Sequence, residues 1–178
     1  SRSAEYSSQL QQLELVWTGP STHAVPTRRT EQVLIELISS AERSLFITSF
    51  VAYNVDSLVG PIKEKIKDGV NVSVLLEQSQ ESGGALDFDS IALLKKQLNG
   101  ALFYTWSPEK GEFEGGVVHA KVAVCDKRLA FISSANLTGR AMNQNMEAGF
   151  LVTGGGVPAQ LEEHLNALAA TKVLALET

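Results

Sequence analysis

Apolar positions in this chain fall into short runs rich in β-branched and aromatic residues, separated by stretches with helical spacing. Leu13–Thr18 predicts a strand, stopped by Gly19-Pro20, and residues 21–29 a polar loop. Residues 30–41 predict a helix with Val33, Leu34, Leu37 and Ile38 on one face and Thr30 placed to cap it. Ser44–Val51 predicts a strand. Residues 56–67 predict a helix capped by Asp56 or Ser57, with Pro61 near its first turn. Gly69 ends that helix, and Val70–Leu76 follows as a strand. After a loop at 79–84, residues 89–98 predict a helix ended by Asn99-Gly100, and Ala101–Trp106 a strand. Residues 107–116 form the longest loop. Three short strands are then expected, Val117–Cys125, Leu129–Ile132 and Glu147–Val152, and after Gly154-Gly155-Gly156 a last helix over 158–169. Helices alternating with strands imply an α/β layered domain with a mixed, largely parallel sheet flanked by helices.

Size and composition narrow this picture. The 178 residues fit one ordinary domain, expected over 13–178, and a chain of that size buries roughly 70% of its unfolded surface. Residues 1–12 are expected to be a tail or a truncated helix, without the apolar core of a signal peptide. The chain does not open on Met and is expected to be a truncated or processed piece. A lone cysteine, Cys125, allows no internal disulfide, and no apolar run approaches the ~20 residues that span a bilayer. The expected location is cytoplasmic, with no membrane partner. Fifteen basic residues against 20 acidic ones give a net charge of −5, which argues against tight non-specific binding to a polyanion. Between Val117 and Phe150, however, four basic residues face two acidic ones, so a mildly basic site on an acidic body is expected.

The chemistry concentrates in VVHAKVAVCDKRLAFISSANLTGRAMNQNMEAGFLV, residues 117–152. His119 and Lys121, two apart on a strand, would share a face. Asp126-Lys127-Arg128 reads as a turn returning the chain toward Ser134 and Asn136. An imidazole, a fixed cation, a hydroxyl and an amide could together grip a phosphate, Lys121 by charge and Ser134 and Asn136 by hydrogen bonding. Glu147 could accept from one ring nitrogen, leaving the other as nucleophile, base or acid.

This order resembles the HxKxxxxD motif of the phospholipase D superfamily. Counting from His119, Lys121 stands at +2, Asp126 at +7, Ser134 at +15, Asn136 at +17 and Glu147 at +28. The offsets are similar to those of the superfamily's small bacterial endonucleases, which carry one motif per chain. The segments LVWTGP, RRTEQVLIELI and SSANLTGRAM extend the likeness to the phospholipase D-like proteins of the DISARM anti-phage defence system. The resemblance implies catalytic roles for His119, Lys121, Asn136, Glu147 and Asp126, with Ser134, Lys121 and Asn136 contacting substrate. Asp126 keeps two readings, a turn residue and a site residue, and in the family it supports the motif without doing the chemistry. The resemblance further implies a phosphohistidine, no metal and no cofactor. Two motifs are needed, and the other histidines, His23 and His164, lack a following Lys-x4-Asp, so a homodimer pooling two copies of His119 is expected.

The expected function is therefore a metal-independent phosphodiesterase acting on nucleic acid, in company with other proteins of a defence system. A phospholipid hydrolase or transphosphatidylase, and a weakly active phosphate-binding module, are the alternatives. Gly154-Gly155-Gly156 reads as a loop, Cys125 as a packed residue, and His23 and His164 as surface residues. Arg28 and Arg29 have two readings, a solvated face and a nucleic-acid contact. Trp106 and the loop at 107–116 could border the substrate entrance, where Glu109, Glu112 and Glu114 would repel a polyanion.

Overall fold

The computed structural model of the chain describes residues 10–82, 84, 85 and 88–178. Residues 1–9 of the tail expected at 1–12 lie outside them, and Gln12 already belongs to the first strand. In chain order the elements are β1 (Gln12–Thr18), α1 (Thr30–Ser40), β2 (Ser44–Ser49), β3 (Ala52–Tyr53), α2 (Asp56–Lys67), β4 (Asn71–Leu76), α3 (Ser90–Gln97) and β5 (Leu102–Thr105). Then follow β6 (Val122–Cys125), β7 (Leu129–Ser133), β8 (Leu137–Thr138), α4 (Gly139–Asn143), β9 (Glu147–Thr153), α5 (Val157–Ala170) and β10 (Ala175–Glu177).

Eight strands form one sheet in the order β1-β9-β7-β6-β2-β4-β5-β10, and β3 and β8 pair separately in parallel. The α/β layering is as expected, and the sheet is mixed. Its parallel part is limited to β2, β4 and β5, the strands linked through α2 and α3. The expectation of a largely parallel sheet is corrected there. The remaining pairings of that sheet are antiparallel, and of these β6 and β7 are joined by a short turn, which can only reverse the chain. Asp126 and Lys127 in that three-residue connection have φ of 53° and 54°, and the Arg128 amide closes the turn by donating to the Cys125 carbonyl (3.0 Å).

Alternation along the central strands feeds two cores. Ala123, Cys125, Leu129 and Phe131 face α1–α3 and meet Leu34, Leu37, Ile38 and Leu58, whereas Val124, Ala130 and Val152 face α5 and meet Leu165. Leu37, Ile38, Leu45, Leu58 and Leu76 are almost wholly buried, each contributing roughly 1.5–3 kcal/mol over exposure. Among the described residues no helix is long and apolar enough to cross a membrane.

Three local expectations change. Thr30 does not cap α1: its amide and hydroxyl are both engaged with the Thr18 hydroxyl (3.0 and 2.8 Å), which ties β1 to the helix. Arg29 takes the cap position instead, its backbone N–H donating to Gln32 Oε1 (3.2 Å). Neither Asp56 nor Ser57 caps α2. Val55 stands at the cap, and the Ser57 hydroxyl donates to Glu31 Oε1 (2.5 Å). Residues 117–121 are not strand. β6 begins at Val122 opposite Thr48, and β2 ends at Ser49; of residues 117–121 only Lys121 still meets a neighbouring strand, its carbonyl accepting from the Ser133 amide (3.1 Å).

Candidate active site at the strand ends

Because β6 runs against β2, the start of β6 meets the C-terminal ends of β2 and β4, the edge where open α/β sheets bind their ligands. The ends of β7 and the start of β9 reach the same edge, through Ser133 opposite Gly149. Gly149 is required there, since a Cβ would stand 2.5 Å from the Ile132 carbonyl oxygen.

His119 is exposed, and its ring packs beside Phe50, centroids 5.6 Å apart. Lys121 Nζ lies 3.1 Å from His119 Nδ1 and 2.8 Å from its carbonyl oxygen. The two side chains meet as expected, although through an irregular backbone rather than a shared strand face. An ammonium has only donors, so Nδ1 accepts and the ring proton of neutral His119 sits on Nε2. Burial pushes the Lys121 ammonium below the ordinary lysine range, and the charge of Glu147 partly offsets this.

Ser134 donates to Glu147 Oε2 and accepts from the amide of Ala148 (3.2 Å). Asn145 Nδ2 donates to Glu147 Oε1 (3.2 Å). Glu147 is thus held beside Lys121, and among the described residues no hydrogen bond joins it to His119 of its own chain. Asn136 is half-buried. The buried Ser49 hydroxyl holds its segment by accepting from the Leu137 amide (3.0 Å) and donating to the Val51 carbonyl (2.8 Å). That donation uses its one proton, so the 3.4 Å contact with Asn136 Oδ1 is weak. The Asn136 NH₂ group has no partner among the described residues and is free to donate to a ligand.

Asp126 stands apart. At the far end of β6 its carboxylate accepts from the amides of Glu42 (2.8 Å), Arg43 (2.8 Å) and Ser44 (3.0 Å). Burial alone would raise its pKa, but the three amides, with the Arg43 charge, hold it below the usual carboxylate range. The length of β6 separates it from His119, and its three amide partners fit the turn reading.

Other candidates resolve similarly. Arg28 is engaged by Glu14 and Glu36, which leaves little of it for nucleic acid. His23 and His164 are exposed, in the loop after β1 and on α5. Cys125 is buried, and burial pushes its thiol up to about 11. An open cavity of about 740 Å³ adjoins the site, lined in part by Glu77, Gln78, Ser107, Glu109 and Glu114. The loop at 107–116 borders this cavity, with two of its three acids on the wall. Among the described residues no group of three or more His, Cys, Asp or Glu side chains could hold a metal ion.

Two site neighbours were missed from the sequence, Phe50 and the buried Glu77. A charged residue closing the apolar run VNVSVLL was the available signal for Glu77.

A chain with this strand order and a histidine–lysine pair at the strand ends is matched by members of the phospholipase D superfamily, to which it belongs. It belongs to the family described as "Cardiolipin synthase, PLD-like domain", whose pattern matches residues 34–169. The DISARM protein DrmC of Bacillus paralicheniformis is 33% identical over 152 residues, covering 84% of this chain and 61% of that protein. Cardiolipin synthase A of Yersinia pseudotuberculosis is 25% identical over 152 residues, 85% of this chain and 29% of that protein. The chain thus spans less than two thirds of the length of these relatives. Among solved structures, NucT from Helicobacter pylori superposes with a TM-score of 0.68 at 20% identity, covering 90% of this chain and 97% of that one. Nuc from Salmonella typhimurium, a phospholipase D family member, gives 0.64 at 18% identity, with 89% and 93% covered. Phosphatidylserine synthase of Haemophilus influenzae gives 0.71 at 15% identity, with 95% and 40% covered.

Proposed function

We propose that the chain is a metal-independent phosphodiesterase acting on nucleic acid, that two copies of it pool their sites, and that it works within an anti-phage defence system. The observation that carries the chemistry is the Lys121 ammonium against His119 Nδ1 (3.1 Å), with an unpartnered Asn136 amide on the same edge. The defence context rests on the likeness to DrmC, and the nucleic-acid substrate on the single compact motif.

A phosphodiester entering the site draws Lys121 off Nδ1, and Lys121 and Asn136 then meet the non-bridging oxygens in place of a metal ion. With the ring proton moved to Nδ1, where it donates a hydrogen bond to Glu147 of the second copy, the Nε2 lone pair attacks phosphorus. The P–N bond forms as the bond to the leaving oxygen breaks, and His119 of the second copy, protonated, gives that oxygen its proton. The same imidazole, now neutral, takes a proton from water. The water oxygen attacks phosphorus, the P–N bond breaks, and His119 is restored. General acid–base assistance of this kind is worth ~10²–10⁴ in rate. An exposed apolar row across three adjacent strands, Leu15, Phe150 and Ile132, reaches within two residues of Ser134 and supports pairing of the copies there.

The test is incubation of labelled single- and double-stranded DNA and RNA with the wild type and His119→Asn in excess EDTA. Cleavage by the wild type alone supports the reading. Absence of cleavage by both sinks it. The likeness to cardiolipin synthase A favours a second reading, a phospholipid diester as substrate. Release of phosphatidic acid from phosphatidylglycerol vesicles in a parallel arm would establish it.

A further inference from the structure

Glu77 is 2% exposed and follows β4 directly. A buried carboxylate is costly unless every oxygen is satisfied, and here both are. Oε2 accepts from the Val118 amide at 2.6 Å, and Oε1 accepts from the Gln78 amide at 3.1 Å. The Glu77 backbone N–H donates to the Phe50 carbonyl (3.3 Å). Glu77 therefore ties down two neighbours of the imidazole: its carboxylate holds the amide of Val118, the residue before His119, and its backbone N–H holds the carbonyl of Phe50, whose ring lies against the imidazole. The need for such a tie follows from the sheet. Residues 107–121 contain no strand or helix, and His119 hangs from a segment whose amides have no ladder to join.

We infer that Glu77 is a positioning residue for His119, its carboxylate clamping the Val118 amide so that the imidazole stands at the strand ends in reach of Lys121 and a bound phosphate. The inference rests on the histidine-based reading above. Only a carboxylate of this length satisfies the geometry. Glutamine offers one acceptor oxygen and sets its NH₂ against the other amide N–H. Aspartate keeps the charge but falls one methylene short of Val118.

The experiment pairs ring ¹⁵N NMR of histidine-labelled full chain with steady-state cleavage of a labelled oligonucleotide, for wild type, Glu77→Gln and Glu77→Asp. In Glu77→Gln the His119 signals are expected to shift or double while those of His23 and His164 stay in place. Its kcat is expected to fall about 10²-fold, the scale of a misplacement of about 1 Å, with KM within about twofold. Glu77→Asp is expected to lie between. A folded Glu77→Gln with wild-type His119 signals and wild-type kcat overturns the proposal. Should Glu77→Gln not fold, the same readings on Glu77→Asp decide, and unchanged His119 signals there overturn it. If the wild type cleaves no nucleic acid, the nuclease reading fails, whereas the ring signals alone still judge Glu77.

Discussion

Lys121 donates to His119 twice, to Nδ1 at 3.1 Å and to the carbonyl oxygen at 2.8 Å. The first contact fixes the tautomer of the free site, with the proton on Nε2, which is the wrong nitrogen for attack through Nε2. A phosphoryl ligand that recruits Lys121 should reverse this. In ring ¹⁵N spectra near pH 7.5, His119 is expected to read as the Nε2–H tautomer alone and to move toward Nδ1–H with orthovanadate bound. A tautomer that does not change with ligand would remove Lys121 as the switch.

Replacing Lys121 by Met keeps the stem and deletes the ammonium. The loss of a charge-assisted contact to the phosphoryl group is worth roughly 2.7–4 kcal/mol, so kcat/KM should fall about 10²–10³-fold. His119 should become free to exchange between tautomers. Kinetics on a defined oligonucleotide, checked against unchanged circular dichroism, measures this.

The Lys121 ammonium titrates below the ordinary value of 10.5, burial lowering it and Glu147 opposing that shift. For a cation the sign is direct: phosphate binding is present below the Lys121 pKa and is lost as pH rises through it, sooner than for an exposed lysine. Glu147→Gln removes the opposing charge, so the midpoint moves further down. A ¹³Cε titration of Lys121 in both proteins reads it, and an upward move in Glu147→Gln would contradict the arrangement.

Asp126 should matter to folding and not to chemistry. Asp126→Asn replaces a three-amide acceptor by a group with one oxygen, at a cost of roughly 2–4 kcal/mol. Its folded pKa is depressed from 3.8, so its contribution is present in full above about that pH and is lost as pH falls through the lower folded value. Urea unfolding at pH 6 and pH 3 should show the wild-type advantage shrinking at the lower pH. Activity per folded molecule should stay within about twofold.

If two copies pair over Leu15, Phe150 and Ile132, a lysine at Phe150 places a charge at the centre of the contact. Phe150→Lys is expected to sediment as a monomer and to lose cleavage while the fold persists. A wild type that sediments as a monomer at 10 µM would exclude this pairing.

Much of the layout was legible because its signals are local. Strand and helix periodicities mark the elements to within a few residues, since burying an apolar face requires period two in one and 3.6 in the other. The spacing of His119, Lys121, Ser134, Asn136 and Glu147 marked the site region. Caps were read less well: Thr30 was spent on Thr18, a partner twelve residues away, and local propensity knows nothing of such partners.

The sequence by itself determined which residues are chemically equipped and which segments form strands and helices, because both depend on side-chain type and near neighbours. Only the tertiary structure decided that the sheet is parallel in just its β2-β4-β5 part and that Asp126 lies at the far end of β6 from His119. It alone showed that a glutamate forty-one residues upstream of Val118 grips that residue's amide, next to His119. Those outcomes depend on which strand edges and amides come to face one another, and nothing short of the assembled sheet fixes that.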